Sequence, residues 1–97
     1  MNLEIQYLKK ADKFFSKNTN TLSKEKSNEL IIKSVKKIVL NQDINIDVKQ
    51  LKGNLQNYYR IRCGKVRILF ELLNSEIKII TIVNDVDFRG DVYKFKN

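Results

Sequence analysis

The stretch Tyr58-Tyr59-Arg60-Ile61-Arg62-Cys63-Gly64-Lys65-Val66-Arg67-Ile68-Leu69-Phe70-Glu71 decides how this chain folds. Two alternating runs flank Gly64-Lys65, a two-residue turn with glycine first, which suits the primed geometry of a β-hairpin. That turn sets residues 63 and 66 opposite each other, then 62 and 67, 61 and 68, 60 and 69, 59 and 70, and 58 and 71. One face is then Tyr59, Ile61, Cys63, Val66, Ile68 and Phe70, an apolar set that belongs to a core. The other is Tyr58, Arg60, Arg62, Arg67, Leu69 and Glu71.

Working outward, Glu76 to Asn84 reads as a third strand, joined to the second through an Asn74-Ser75 turn that sets Glu71 opposite Lys78 as a favourable cross-strand pair. Leu69, Ile80 and Ile82 then share the arginine face, so part of it calls for cover by the C-terminal segment or by a partner. Toward the N-terminus, Asn41 to Gln50 reads as a polar, irregular connection. Before it, Leu30, Ile31, Ser34, Val35, Ile38 and Val39 recur at helical spacing to about Leu40, with Ser23 as cap and Glu25 in the first turn. Leu8, Ala11, Phe14 and Phe15 lie on one face of a shorter helix, and Asn18-Thr19-Asn20-Thr21 is turn chemistry between the two. Asn2 to Tyr7 alternates as a half-buried strand. The expected fold is α+β: an N-terminal strand, two antiparallel helices covering one sheet face, a mainly antiparallel sheet, and a short C-terminal element from Asp85 to Asn97.

With 97 residues the chain makes a single domain, residues 1–97, since it can bury only one modest core. Hydrophobic residues at 42% and charged residues at 31% lie in the globular range. No apolar run approaches the ~20 residues that span a bilayer, and Met1-Asn2-Leu3-Glu4 lacks a signal peptide's regions, so the expected location is the cytoplasm. One cysteine and no histidine exclude an internal disulfide, a histidine-based triad and the usual zinc sites. Cys63 reads as a small core residue rather than a nucleophile, and Tyr59 and Phe70 as core. Asp85 and Asp87 are awkwardly spaced for a metal and read as solvated loop acids.

The net charge of +8 makes a polyanion the default partner. Arg62 opposite Arg67, with Arg60 two residues along, brings three guanidinium groups within reach of one another. Like charges so placed are locally unfavourable. No acid occurs between Asp47 and Glu71, so the arginines look uncompensated and point to an external anion, phosphate above all, which a guanidinium grips with two parallel hydrogen bonds. The alternative is a solvated face whose long stems shield the sheet.

Leu51-Lys52-Gly53 with the hairpin, and Arg89-Gly90-Asp91-Val92-Tyr93-Lys94 near the end, resemble the central and C-terminal signatures of the RelE/ParE toxin superfamily, and the element order resembles it too. The resemblance implies a RelE-like, microbial-ribonuclease-like fold and a type II toxin that acts as a ribosome-dependent mRNA endonuclease, using no metal and no cofactor. ParE-like members instead poison DNA gyrase, and a catalytically weak relative would act only in a complex with its antitoxin. By motif, Arg60, Arg62 and Arg67 would clamp the phosphate, and Arg89 would help neutralise the leaving group. Tyr93 would stack on a base or assist proton transfer, or else serve as a packing residue. Lys52, Tyr58, Lys65 and Lys94 would meet RNA, Lys65 on the ribosomal RNA backbone. Where some members carry a catalytic arginine six residues before the tyrosine, this chain carries Asp87. Implied partners are a cognate antitoxin and mRNA in the ribosomal A site, with operator DNA reached only through the antitoxin complex.

Overall fold

In the computed structural model, which describes residues 2–54, 57–74 and 79–88, the hairpin forms in the register its turn dictates. Its strands are β3 (Tyr58–Cys63) and β4 (Val66–Asn74). Cys63 pairs with Val66, Arg62 with Arg67, and so on to Tyr58 with Glu71. Gly64 sits at φ +58 and Lys65 is not in the left-handed region, as a turn with glycine first requires. Ile61, Ile68 and Phe70 are fully buried on the inner face, and Tyr59 stacks on Phe70 at 5.7 Å.

The remaining elements are β1 (Leu3–Tyr7), α1 (Lys9–Lys17), α2 (Lys24–Val39), β2 (Val48–Gln50) and β5 (Ile79–Phe88). Among the described residues they complete a sheet of five strands in the order β1-β5-β4-β3-β2, in which β1 runs parallel to β5 and the other pairs are antiparallel. Both helices bury their apolar stripes on one face of the sheet, α1 over β5 and α2 over β3: Ala11 and Phe14 from α1 and Ile31 and Val35 from α2 join Ile61, Ile68, Phe70, Val83 and Val86 in one core. Ser23 caps α2 by accepting from the Lys26 N–H at 3.1 Å, and Asn41 ends it at φ +54, a left-handed residue suited to asparagine. The Tyr7 hydroxyl ties β1 to the start of α2 by donating to Asn28 Oδ1 at 2.7 Å. Among the described residues, no helix is long and apolar enough to cross a membrane.

Four expectations are corrected. Leu8 does not face the core; it is 45% exposed, because its N–H continues the sheet ladder to the Val83 carbonyl and holds it extended one residue before α1 begins. The connection 41–50 ends in β2, which adds to the edge of β3 with Val48 opposite Ile61 and Lys49 opposite Arg60. The β4–β5 register places Glu71 opposite Ile82 rather than Lys78, since Asn74 pairs with Ile79 and four residues intervene; this sets the buried Phe70 and Ile68 against the buried Val83 and Val86. Lys78 itself lies outside the described residues.

The last correction concerns β5, which continues through the supposed C-terminal element to Phe88. A bulge between the Leu69–Asp85 and Phe70–Val83 pairs leaves Asn84 as the extra residue. Asp85 is therefore no solvated loop acid. It is 1% exposed and meets Lys10 Nζ of α1 at 3.1 Å. Burial holds its carboxyl above the usual range, more strongly than Lys10 lowers it.

Phe70→Ala is expected to cost about 3–5 kcal/mol in urea unfolding, as a large buried ring is lost, whereas Leu8→Ser stays within about 0.5 kcal/mol. For Asp85 the folded-state pKa is the raised one, so its contribution is most favourable below the unfolded value and is lost as pH rises through the folded value. Asp85→Asn should accordingly gain stability relative to wild type across that rise. Paired urea titrations at pH 4 and pH 7 read the difference.

Candidate functional site

Alternation along β3 sends Arg60 and Arg62 to the face away from the helices, and the hairpin register adds Arg67 opposite Arg62. The same pairing continues across the whole sheet and organises the charges into two rows. In one, Lys49 on β2 lies opposite Arg60, Arg60 opposite Leu69, and Leu69 opposite Asp85. In the other, Arg62 lies opposite Arg67, and Arg67 opposite Asp87 on β5. The far end of this second row is Asp47, whose carbonyl accepts from the Arg62 N–H at 2.9 Å just before β2 begins. Two arginines thus stand between two aspartates.

This overturns the reading of the arginines as uncompensated. Asp47 Oδ1 accepts from Arg60 Nη1 at 2.7 Å, and Asp47 Oδ2 lies 3.7 Å from Arg62 Nε. The Arg60 hydrogen bond holds the Asp47 carboxyl below its ordinary value, with further support from the positive charges of Arg60, Arg62 and Arg67. Separation along the chain says nothing about separation across a sheet. Asp47 lies thirteen positions before Arg60 and becomes its neighbour only through β2. A signal existed: Ile44, Ile46 and Val48 alternate, and Ile46 and Val48 pack against the core, so Asp47 and Lys49 belong on the arginine face.

The three arginines differ in environment. The Arg60 side chain is only 10% exposed and is held by both the carboxylate and, at 3.4 Å, the carbonyl of Asp47. Arg62 is 40% exposed and Arg67 is half-buried. Together with Lys49, Gln50, Leu51 and Lys52 they line an open depression of about 320 Å³. Its cationic lining and open shape suit an extended polyanion segment better than an enclosed small molecule. Lys49 is a lining residue that the sequence reading did not single out.

Of the other candidate residues, Lys52 is exposed on the rim of this depression, Tyr58 is half-buried opposite Glu71, and Lys65 is exposed at the hairpin turn, outside the depression's lining. Asp87 is half-buried opposite Arg67, with its Oδ1 accepting from the Phe88 N–H at 2.8 Å. Cys63 is half-buried against the core, as expected of a packing residue. Arg89, Tyr93 and Lys94 lie outside the described residues.

No family model and no curated protein matches the sequence. Solved structures do match in fold. A YoeB/ParE toxin from Agrobacterium tumefaciens superposes with a TM-score of 0.59 at 16% identity, over 92% of this chain and 99% of that one. A copper-bound mutant toxin from Helicobacter pylori gives 0.65 at 16% identity, over 93% and 98%. The RelB–RelE antitoxin–toxin complex from Methanococcus jannaschii gives 0.50 at 22% identity, over 95% and 99%. What is shared at these identities is the fold: two helices on one face of a mixed sheet, the architecture of RelE/ParE-type toxins.

The unequal burial of the arginines yields a prediction. Arg60→Ala should cost about 1–3 kcal/mol at pH 7, because a buried, hydrogen-bonded charge is lost, and Arg62→Ala less than about 1 kcal/mol. Since the Asp47 pKa is lowered in the folded state, its contribution is present above the ordinary carboxylate value and disappears as pH falls through the folded one. The Arg60→Ala penalty should shrink in parallel, as urea unfolding at pH 7 and near pH 2.5 would record.

Proposed function

We propose that this chain, which carries the RelE/ParE toxin fold, is the toxin of a type II toxin–antitoxin pair and a ribosome-dependent mRNA endonuclease. The observation that carries this reading is the open depression lined by Arg60, Arg62, Arg67, Lys49 and Lys52, an array of five cations matched to a polynucleotide backbone. The fold likeness to the toxins supports it.

The chemistry proposed is attack of a ribose 2′-hydroxyl on the adjacent phosphate, giving a cyclic phosphate and a free 5′-hydroxyl. As the nucleophile adds, negative charge builds on the nonbridging oxygens. Arg62, 40% exposed, and Arg67, half-buried, are placed to meet that charge, with the Arg60 guanidinium, held by Asp47, as the third cation. Proton transfer cannot use histidine, since the chain has none. In this scheme Tyr93 stacks on a base or assists proton transfer, and Arg89 helps neutralise the leaving oxygen. Orientation of the mRNA by the ribosome supplies much of the rate. Lys52, Tyr58, Lys65 and Lys94 contact RNA, Lys65 on ribosomal RNA. The partner proposed for the resting toxin is a cognate antitoxin, by analogy with the RelB–RelE pair, with operator DNA bound only through that complex and the cytoplasm as the site of action.

Induced expression followed by mapping of RNA 5′ ends tests this. Codon-phased cuts within translated mRNA are expected, reduced about 10²-fold or more by Arg62→Ala or Arg67→Ala. Intact mRNA together with inhibited DNA supercoiling would replace the endonuclease by a gyrase inhibitor. Neither effect would leave a protein that acts only within its antitoxin complex.

A further inference from the structure

The Asp47 carboxylate occupies the place between Arg60 and Arg62 where a phosphate would make the same contacts. A phosphate oxygen seated on these same nitrogens, Arg60 Nη1 and Arg62 Nε, must displace the carboxylate from them. Three features make such a departure feasible without refolding. The Asp47 backbone is anchored independently of its side chain, through the hydrogen bond from the Arg62 N–H to its carbonyl at 2.9 Å. Arg60 keeps a main-chain acceptor when the carboxylate leaves, because Nη1 also reaches the Asp47 carbonyl at 3.4 Å. The carboxylate itself is 50% exposed, so water is at hand to receive it after rotation about the side-chain bonds alone.

We propose that Asp47 is an exchangeable internal counter-ion of the arginine cluster, a carboxylate that stands in for substrate phosphate and sets the site's affinity by competing with it. The proposal rests on the reading of this depression as a phosphate-backbone site and adds a residue that this reading did not use. Without phosphate, Asp47 relieves the mutual repulsion of Arg60 and Arg62. On binding, a phosphate oxygen takes over the Arg60 and Arg62 donors. The intrinsic affinity is thereby held below what three arginines would otherwise deliver, so a single isolated phosphate is a poor ligand, and a strand with several contacts along Lys49 and Lys52 a better one.

The test uses a short single-stranded 2′-deoxy oligonucleotide, which binds but has no 2′-hydroxyl with which to react, titrated into wild type and variants and followed by fluorescence anisotropy. Asp12→Asn is the control for net charge, because Asp12 is equally exposed at 50% and forms a comparable ion pair with Lys24 at 2.6 Å on the helical side. Asp47→Asn is expected to bind about 5- to 30-fold more tightly than wild type, and Asp12→Asn within about twofold. The slope of log affinity against log salt should steepen by about 0.7 in Asp47→Asn, one more counterion being released per strand bound. Arg62→Ala placed on Asp47→Asn should remove the gain.

In the wild-type protein, which needs no folded variant, the Asp47 side-chain carboxyl 13C resonance and the Arg62 Nε resonance should shift along one common saturation curve. If Arg62 shifts while Asp47 does not, or if Asp47→Asn binds no better than wild type, Asp47 is a fixed support for the arginines and the proposal is overturned with the phosphate site intact. An equal gain from Asp12→Asn also overturns it, as an effect of overall charge. Binding that is insensitive to Arg62→Ala and Arg67→Ala in every background would remove the phosphate site itself, and the exchange with it.

Discussion

The pairing of β3 with β4 is the constraint on which the rest of this molecule depends. Among the described strands β4 lies between β3 and β5, and its Ile68, Leu69 and Phe70 have no exposure to solvent. The turn at Gly64 and Lys65 leaves one register available, and a slip of one residue would turn Ile61, Ile68 and Phe70 outward and the arginines into the core. Everything added to the hairpin respects that choice. The helices cover the apolar face, β5 aligns Val83 and Val86 with Phe70 and Ile68, and β2 extends the polar face with Lys49.

The same register sets the electrostatics of the outer face. Because residues opposite each other in successive strands share a face, charges distant in sequence fall into rows, and the row Asp47, Arg62, Arg67, Asp87 brackets two cations with two anions. A sheet whose arginines had no such neighbours would pay repulsion at every pair. Here the compensation comes at the flanks and is uneven: Arg60 is buried and doubly held by Asp47, while Arg62 and Arg67 stay more open around the depression. Fixed charge behind accessible charge is an arrangement suited to receiving an anion.

Much of this was legible residue by residue. Period-two alternation identified β1, β3 and β4, and Ser23 followed by the Leu30-Ile31-Ser34-Val35 spacing identified α2, because each of these signals is local and repeats several times. The failures share a cause. β2 has only three residues, so the alternation of Ile44, Ile46 and Val48 leading into it is short, and it pairs because the β3 edge offers hydrogen bonds. Asn74-Ser75 is a good turn dipeptide locally, yet Asn74 belongs to β4, where it pairs with Ile79. Asp85 reads as a loop acid by residue type, yet the bulge at Asn84 and the approach of Lys10 carry it into the interior.

By itself, then, the amino-acid sequence determined the hairpin, its register, its two faces and the identity of the three arginines. Turn geometry and side-chain alternation act over a few residues and need no distant partner. Only the tertiary structure decided what stands beside those arginines. Lys49 joins Arg60, Asp47 binds Arg60 and Arg62, and Asp87 faces Arg67 because strands far apart in the chain satisfy each other's backbone hydrogen bonds. Coulombic neighbourhood depends on distance in space, which the order of residues along a chain does not specify.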